Sequence, residues 1–203
     1  MSGKLFLFIG PMMSGKTRKL IREYSRLNVP GWKRFAFKPQ EDTRFGRWVI
    51  RSRDGLEIPC VPFSRPDQMV DSVFSACGTT KMPTLSEVAV FVDEVQFADP
   101  SGIREALENL CNAGCIVFVA GLSGDRNMKP WDAVSSIIPI ADTISYFQAR
   151  CAVCDDPASF TAMVRGENGT TATAGQIAIE SSGTIEYAPK CRKHWLATDE
   201  CQK

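Results

Sequence analysis

The chain has 203 residues, of which 24 are basic, 23 are acidic and 44% are hydrophobic. This length is sufficient for one domain of ordinary size plus a small appendage, with a hydrophobic core that needs no disulfide bonds. The near-zero net charge argues against a protein that binds nucleic acid through a large basic surface.

The apolar stretches of the chain are short. The first of them, residues 5–9, is far below the roughly 20 apolar residues that a membrane-spanning helix needs. It leads into a glycine-rich segment without a cleavage site, so it does not indicate a signal peptide. We therefore expect a cytoplasmic protein with no membrane partner. Because thiols stay reduced in that compartment, the eight cysteines indicate packing residues or metal ligands rather than disulfides.

Short apolar runs alternate along the chain with segments of helical periodicity. Strands are predicted where apolar residues run continuously, and helices where they recur every three or four positions. A run such as VAVFV indicates a strand that is buried on both faces, as in a parallel sheet. The predicted strands are residues 4–9, 34–38, 48–52, 88–92 and 115–120, and the predicted helices are residues 16–27, 66–76 and 100–113.

This alternation predicts helical crossovers between parallel strands, and hence an α/β domain over residues 1–148. The composition changes after residue 150. Glycine, serine and threonine become frequent, and no helical period is visible over residues 167–183. We therefore predict a second, smaller domain over residues 149–203.

A phosphate-binding loop is the clearest motif. Residues 10–17 match G-x-x-x-x-G-K-[ST] and lie between a predicted strand and a predicted helix, the context that this motif requires. Glycines let backbone N–H groups face phosphate oxygens at a helix N-terminus. Lys16 is predicted to contact the β- and γ-phosphates and Thr17 to bind Mg²⁺. The alternative is a glycine-rich turn with a solvated lysine. The segment consists of Gly10, Pro11, Met12, Met13, Ser14, Gly15, Lys16 and Thr17.

Two carboxylates follow the predicted strand 88–92. Asp93 comes at the carboxyl end of this strand, where open parallel sheets present ligand-binding residues, and is predicted to complete the Mg²⁺ shell. Glu94 is placed to orient and deprotonate an attacking oxygen beside the γ-phosphate, although a capping or surface role is an alternative. Gln96 and Phe97 continue the loop, and Phe97 is equally compatible with a core position.

Two ligand pairs, Cys151-x-x-Cys154 and Cys191-x-x-His194, stand 36 residues apart. Together they provide the four tetrahedral ligands of a structural Zn²⁺ site, with no open position for catalysis. A single C-x-x-C is also compatible with a redox pair, but two pairs favour the metal. The remaining five cysteines have no partner at ligand spacing. Because His194 is the only histidine, its use as a ligand leaves no imidazole base.

In their order and spacing, these motifs resemble the type II thymidine kinases, the family related to cytosolic thymidine kinase. The resemblance covers nearly the whole chain. It includes the phosphate loop, Lys38-Pro39 with Asp42-Thr43-Arg44, residues 91–97, Gly121-Leu122, Lys129-Pro130-Trp131, the cysteine and histidine pairs, and Tyr187. It implies a P-loop NTPase-type α/β fold, with a mainly parallel sheet flanked by helices and a small C-terminal zinc-ribbon or lasso domain.

The activity implied is transfer of the ATP γ-phosphate to the 5′-hydroxyl of thymidine, with Mg²⁺ and a structural Zn²⁺. By this resemblance Glu94 is the general base, and the nucleotide site includes Asp42, Arg44, Asp93 and Gln96 besides the loop. The implied nucleoside contacts are Met12, Phe97, Leu122, Arg126, Thr161, Ser182 and Tyr187. The polar segment of residues 161–183 corresponds to the lasso that folds over the base. The family also implies a homotetramer, inhibition by the end-product triphosphate, and no stable nucleic-acid partner.

The chain departs from the family pattern at four places. Arg126 replaces an aromatic residue, so its guanidinium can either stack on the base or turn away. Met13 replaces a common phenylalanine, and Ser181-Ser182-Gly183 replaces a usual Gly-Gly start, which changes local backbone freedom. His194 replaces a cysteine in many relatives, and imidazole binds Zn²⁺ as well.

Two other functions compete with a kinase. An ATP-driven nucleic-acid-binding module with a zinc ribbon would need a clustered basic face, which the near-neutral charge disfavours. A catalytically inactive nucleotide sensor would bind ATP or thymidine triphosphate without turnover.

Overall fold

A computed structural model describes residues 3–78, 85–165 and 186–197. Its core is a six-stranded, entirely parallel sheet in the order β5-β2-β6-β7-β1-β8. The strands are β1 (Lys4–Gly10), β2 (Lys33–Pro39), β3 (Val49–Arg51), β4 (Glu57–Pro59), β5 (Val61–Phe63), β6 (Val88–Val92), β7 (Ile116–Leu122), β8 (Thr143–Tyr146), β9 (Ala149–Arg150), β10 (Pro157–Ala158), β11 (Phe160–Arg165) and β12 (Glu186–Lys190). The helices are α1 (Lys16–Arg26), α2 (Asp67–Ala76), α3 (Pro100–Asn112), α4 (Asp132–Ile137) and α5 (Arg192–Leu196).

Both faces of the sheet are covered, and the central strand β6 shows how. Successive side chains of a strand point to opposite faces. Val88, Val90 and Val92 accordingly belong to the core that contains residues of α2, α3 and α4, whereas Ala89 and Phe91 belong to the core that contains residues of α1. This explains the continuous apolar run, because a strand buried on both faces has no polar side to alternate with.

The predicted α/β fold and its principal elements are confirmed. The predicted strand 48–52 is shorter in the structure, and β3 lies outside the central sheet. It pairs antiparallel with β4, with Ile50 opposite Ile58. Gly55 in the intervening turn has a φ of 88°, which favours glycine.

Several elements were not predicted, including three of the α/β domain, which are β5, β8 and α4. The edge strand β5 has three residues and contains Pro62, which an edge position tolerates. The other edge strand, β8, is largely exposed and carries no continuous apolar run. The third, α4, has only six residues, too few for its period to stand out. The division of the chain after residue 148 stays a prediction.

The sheet brings the chemical motifs to one edge. The carboxyl ends of β1 and β6 are followed by the phosphate loop and by Asp93, respectively. Gly10 at the end of β1 lies so close to the backbone that follows β8 that a Cβ would be 2.3 Å from the Phe147 carbonyl oxygen. Within the described residues, no helix is long and apolar enough to cross a membrane.

The aromatic stack across the sheet should be a main source of stability. Phe91 is fully buried, with its ring 5.0 Å from that of Phe118 at 7° and 5.2 Å from that of Tyr24. We expect Phe91→Ala to lower the free energy of unfolding by about 3–5 kcal/mol, measured by chemical denaturation. The control, Trp48→Ala, removes an exposed ring and should cost no more than about 0.5 kcal/mol. Equal effects of the two substitutions would contradict this assignment of the core.

Candidate active site and metal centre

A cavity of about 380 Å³ opens where the carboxyl ends of the central strands meet. The phosphate loop forms its floor on one side, and Asp42, Arg44, Asp93 and Glu94 lie beside that loop. The lining also includes residues from four other parts of the chain, which are Phe97, Leu122, Arg126, Trp131, Thr161 and Tyr187. A polar half that contains the phosphate loop therefore adjoins a half rich in apolar and aromatic side chains.

The phosphate loop folds around the side chain of its lysine. Gly15 adopts a left-handed conformation with φ of 87° immediately before α1 begins. Lys16 Nζ donates to the Pro11 carbonyl oxygen at 2.7 Å and to Ser14 Oγ at 3.4 Å. Burial lowers the pKa of Lys16 to about 8, although the carboxylates of Glu94 and Asp93 act to raise it. A triphosphate bound here would add negative charge and favour the ammonium form.

Asp93 and Thr17 form the oxygen donors of a potential cation site. Thr17 Oγ1 donates to Asp93 Oδ1 at 3.3 Å, which joins the first turn of α1 to the end of β6. Burial holds the pKa of Asp93 above its ordinary range, and the adjacent Glu94 carboxylate adds to this effect. Carboxylate and hydroxyl oxygens are suitable ligands for Mg²⁺, and a cation would offset the crowding of negative charge.

Glu94 is held from two sides. Its backbone is left-handed, with φ of 53° and ψ of 37°, and turns the chain from β6 into a 3₁₀ turn (Val95–Phe97). Carboxylate atom Oε1 forms an ion pair with Arg44 Nη2. The other oxygen, Oε2, accepts a hydrogen bond from Gln96 Nε2 at 2.5 Å. Both oxygens of the predicted base therefore have protein partners.

Arg44 belongs to a buried series of alternating charges. Its Nε contacts Asp42 Oδ1 at 2.8 Å, and Asp42 Oδ2 lies 3.4 Å from Lys38 Nζ. The Lys38 side chain is 1% exposed and also donates to the Gly46 carbonyl oxygen at 2.7 Å. Burial acts to lower the pKa of Arg44, but the carboxylates of Glu94 and Asp42 hold it above its usual range. The predicted segment of Asp42 and Arg44 thus reaches Glu94 as well as the cavity.

The apolar half of the cavity is joined to the phosphate loop. The backbone N–H of Met12 donates to Thr161 Oγ1 at 3.0 Å, across 149 residues of sequence. Phe97 packs edge-to-face on Trp131, with ring centroids 5.9 Å apart. Tyr187 on β12 also lines this half of the cavity. A flat apolar ring would find a slot of matching chemistry between these side chains.

Most of the residues predicted for the site line the cavity, with four exceptions. Gly10 and Pro11 contribute backbone beneath it, since the Pro11 carbonyl oxygen accepts from Lys16 and that of Gly10 accepts from Ser123. Gln96 is buried beside the cavity and does not belong to its lining. Ser182, like the rest of the lasso from residue 166 to 183, lies outside the described residues.

Arg126 lines the cavity but is turned toward β11. Its Nη1 lies 3.5 Å from the sulfur of Met163, and its carbonyl oxygen accepts a hydrogen bond from Trp195 Nε1 at 3.3 Å. The loop that carries Arg126 is therefore tied to α5.

The sequence did not indicate the wall formed by the β3–β4 hairpin. Ser52, Arg53 and Asp54 line the cavity, and Asp54 Oδ2 forms an ion pair with Arg18 Nε at 3.0 Å. The Asp54-Gly55 pair gave only a turn signal, because nothing local indicates where the tip of a hairpin will dock.

The four predicted metal ligands converge. The ligand atoms of Cys151, Cys154, Cys191 and His194 lie within 4.8 Å of one another. Cys154 Sγ and Cys191 Sγ are 3.8 Å apart, and Cys151 Sγ is 3.6 Å from His194 Nδ1. A tetrahedral Zn²⁺ with Zn–S bonds of about 2.3 Å places two sulfurs about 3.8 Å apart. Donor set and spacing therefore fit a structural zinc site.

A family model described as thymidine kinase matches residues 3–195. The chain belongs to the thymidine kinase family. Thymidine kinase a of Arabidopsis thaliana is 32% identical over 200 residues, which cover 96% of this chain and 76% of the relative. The thymidine kinase of Thermococcus kodakarensis is also 32% identical over 200 residues, covering 98% and 96% of the two chains. Among solved structures, a chain described as an ATPase matches 94% of this chain and 80% of its own length, with 15% identity and a TM-score of 0.46.

The resemblance inferred from the motifs is thereby confirmed. This thymidine kinase family member has its phosphate loop and its acidic pair at one edge of the sheet, and its cysteine–histidine cluster beside β11 and β12.

The metal centre can be tested independently of activity. We expect about one Zn²⁺ per chain by elemental analysis, and Cys191→Ala should lose the metal and unfold at a lower temperature because three ligands bind zinc less tightly than four. Cys111→Ala, at a cysteine outside the cluster, is the matched control and should keep its zinc. Full zinc occupancy of Cys191→Ala would rule out this ligand set.

Proposed function

We propose that the protein is a thymidine kinase, which transfers the γ-phosphate of ATP to the 5′-hydroxyl of thymidine and, less efficiently, of deoxyuridine. The observation that carries this proposal is the position of Glu94. Its carboxylate lies on the same cavity as Lys16 of the phosphate loop and the apolar half that contains Phe97 and Leu122. A base between a phosphate site and a flat apolar slot is the arrangement that phosphorylation of a nucleoside requires.

The phosphate side is built for a nucleoside triphosphate with its cation. Backbone N–H groups of the loop and the start of α1 would surround the phosphates, and Lys16 would contact the β- and γ-phosphates. Thr17 and Asp93 would hold Mg²⁺, which neutralises the charge that develops on the phosphates. Lys16 now donates to Pro11 and Ser14, and phosphate oxygens would replace these neutral partners with charged ones.

Arg44 can pair either with the proposed base or with the phosphates of ATP. In the structure it pairs with Glu94, so Oε1 is not available to accept a proton from a hydroxyl. Phosphate oxygens offer the guanidinium a competing bidentate partner. In our proposal, Arg44 moves from Glu94 to the phosphates when ATP binds. Glu94 Oε1 then accepts the 5′-hydroxyl proton as the oxygen attacks the γ-phosphorus, the bond from this phosphorus to the β,γ-bridging oxygen breaks and ADP leaves.

The apolar half accounts for the choice of base. Met12, Phe97, Leu122, Thr161 and Tyr187 would surround the thymine ring. The lasso would supply backbone donors and acceptors that fit a thymine or uracil edge, so cytosine or a purine would leave buried polar groups unpaired. A slot for the 5-methyl group contributes only about 1 kcal/mol, and deoxyuridine should therefore remain a poorer substrate.

The family resemblance adds three elements to this proposal. They are a homotetrameric state, inhibition by thymidine triphosphate and a cytoplasmic location.

The rival functions have less support. The near-neutral charge disfavours a nucleic-acid-binding module, and a sensor without catalysis would not need a carboxylate in the same cavity as the phosphate loop.

The activity is tested directly with purified protein, Mg²⁺ and ATP. We expect thymidine monophosphate from thymidine, a slower reaction with deoxyuridine, and little product from deoxycytidine or the purine deoxynucleosides. Product formation can be followed by chromatography. Binding of ATP and thymidine triphosphate without any product would favour the nucleotide sensor, and DNA-stimulated ATP hydrolysis would favour the nucleic-acid-binding module.

The role of Glu94 predicts a change in rate rather than in binding. Glu94→Gln keeps the size of the side chain but removes its basicity, so kcat should fall by about 10²–10⁴-fold, the range typical of a lost general base. The affinity for ATP, measured by calorimetry, should change little. Glu105→Gln, on the exposed side of α3, is the matched control and should keep the wild-type rate. An unchanged kcat for Glu94→Gln would exclude Glu94 as the base.

A further inference from the structure

Gln96 forms a bridge between the predicted base and the wall of the nucleoside slot. Its Nε2 donates to Glu94 Oε2 at 2.5 Å, and its Oε1 accepts from the backbone N–H of Leu122 at 3.1 Å. A carboxylate can only accept and a backbone N–H can only donate, so a single orientation of the amide satisfies both contacts. The bridge therefore fixes the amide as well as its two partners.

The backbone around Gln96 is shaped to permit this bridge. Gly121 precedes Leu122 on β7, and a Cβ at this position would lie 2.7 Å from Val95 Cγ1 and 3.4 Å from Gln96 Oε1. Only a residue without a side chain lets β7 approach the 3₁₀ turn so closely. This approach brings the Leu122 N–H within reach of the amide oxygen.

The two partners of Glu94 differ in their access to substrate. Arg44 lines the cavity, where phosphate oxygens can reach it. Gln96 is 5% exposed and lies outside the lining, so a bound nucleotide cannot draw its amide away from Glu94. When Arg44 turns to the phosphates, Gln96 therefore stays hydrogen-bonded to the Glu94 carboxylate.

We infer that Gln96 is a positioning residue, which fixes the orientation of the Glu94 carboxylate and couples it to Leu122 in the wall of the proposed nucleoside slot. This inference rests on the proposed function. It assigns Gln96 no contact with ATP, in contrast to the nucleotide-binding role that the sequence suggested. The amide acts by holding Oε2, which leaves Oε1 as the atom that accepts the proton.

Two substitutions separate the contacts of Gln96. Gln96→Glu keeps an oxygen for the Leu122 N–H but places a second carboxylate against Glu94, whereas Gln96→Met has a similar length and loses both hydrogen bonds. Because a displacement of about 1 Å can cost about 10²-fold in rate, we expect both variants to lose about that factor in kcat. The Kd of ATP should stay within about threefold of wild type, because neither substitution removes a contact with the bound nucleotide. Only the stabilisation of the transition state should be lost.

A double-mutant cycle with Glu94→Ala decides whether Gln96 acts through Glu94. If it does, Gln96→Met should cause no further loss of single-turnover rate once Glu94 is gone, because the group that it positions is absent. Thermal melting of every variant identifies losses that arise from unfolding. If one Gln96 variant fails to fold, the other still completes the comparison, and Gln68→Met on the exposed start of α2 serves as the matched control.

The outcomes separate this inference from the proposed function. A wild-type protein that phosphorylates thymidine, with losses at Gln96 and Glu94 that multiply, would overturn the positioning role alone. The same holds for a wild-type kcat in both Gln96 variants, or for a loss of ATP binding that equals the loss of rate. A wild-type protein without turnover would contradict the proposed function and this inference together.

Discussion

Two adjacent carboxylates at the buried end of β6 are the constraint on which the rest of the site depends. Charged groups are expensive to bury unless they are paired and hydrogen-bonded. Burial raises the pKa of Asp93, and repulsion by the adjacent Glu94 carboxylate adds to this shift. The two carboxylates have different partners in the structure. Asp93 faces the Thr17 hydroxyl, and Glu94 is held by Arg44 and Gln96.

In our proposal, this division of partners gives the two carboxylates separate functions. Asp93 keeps a partner that can share a cation, since a hydroxyl and a carboxylate both offer oxygen ligands. Glu94 keeps one partner that a phosphate can compete for and one that it cannot reach. In our proposal, the Glu94 carboxylate is neutralised by Arg44 until phosphate oxygens take the guanidinium, and Gln96 continues to hold it afterwards. The charge series from Lys38 through Asp42 holds Arg44 beside Glu94.

The sequence predicted what is local and missed what is brought together by folding. The phosphate loop, the acidic pair and the two ligand pairs each occupy a few consecutive residues whose types state their chemistry. The ion pair of Arg44 with Glu94 spans 50 positions and has no local pattern, and the same is true of the hairpin wall at Asp54. The family resemblance implied a nucleotide-binding role for Gln96. The contact of its amide oxygen with β7 relies on the close approach at Gly121, on a strand that comes later in the chain.

The metal centre is connected to the phosphate loop through packed elements rather than by proximity alone. His194 and Trp195 are neighbours on α5, and the Trp195 ring holds the loop of Arg126 through a hydrogen bond. The strand β11 pairs with β12, which leads into Cys191, and carries Thr161, whose hydroxyl accepts from Met12 in the phosphate loop. A tetrahedral site that fixes the ends of β12 and α5 would thus also fix two walls of the cavity.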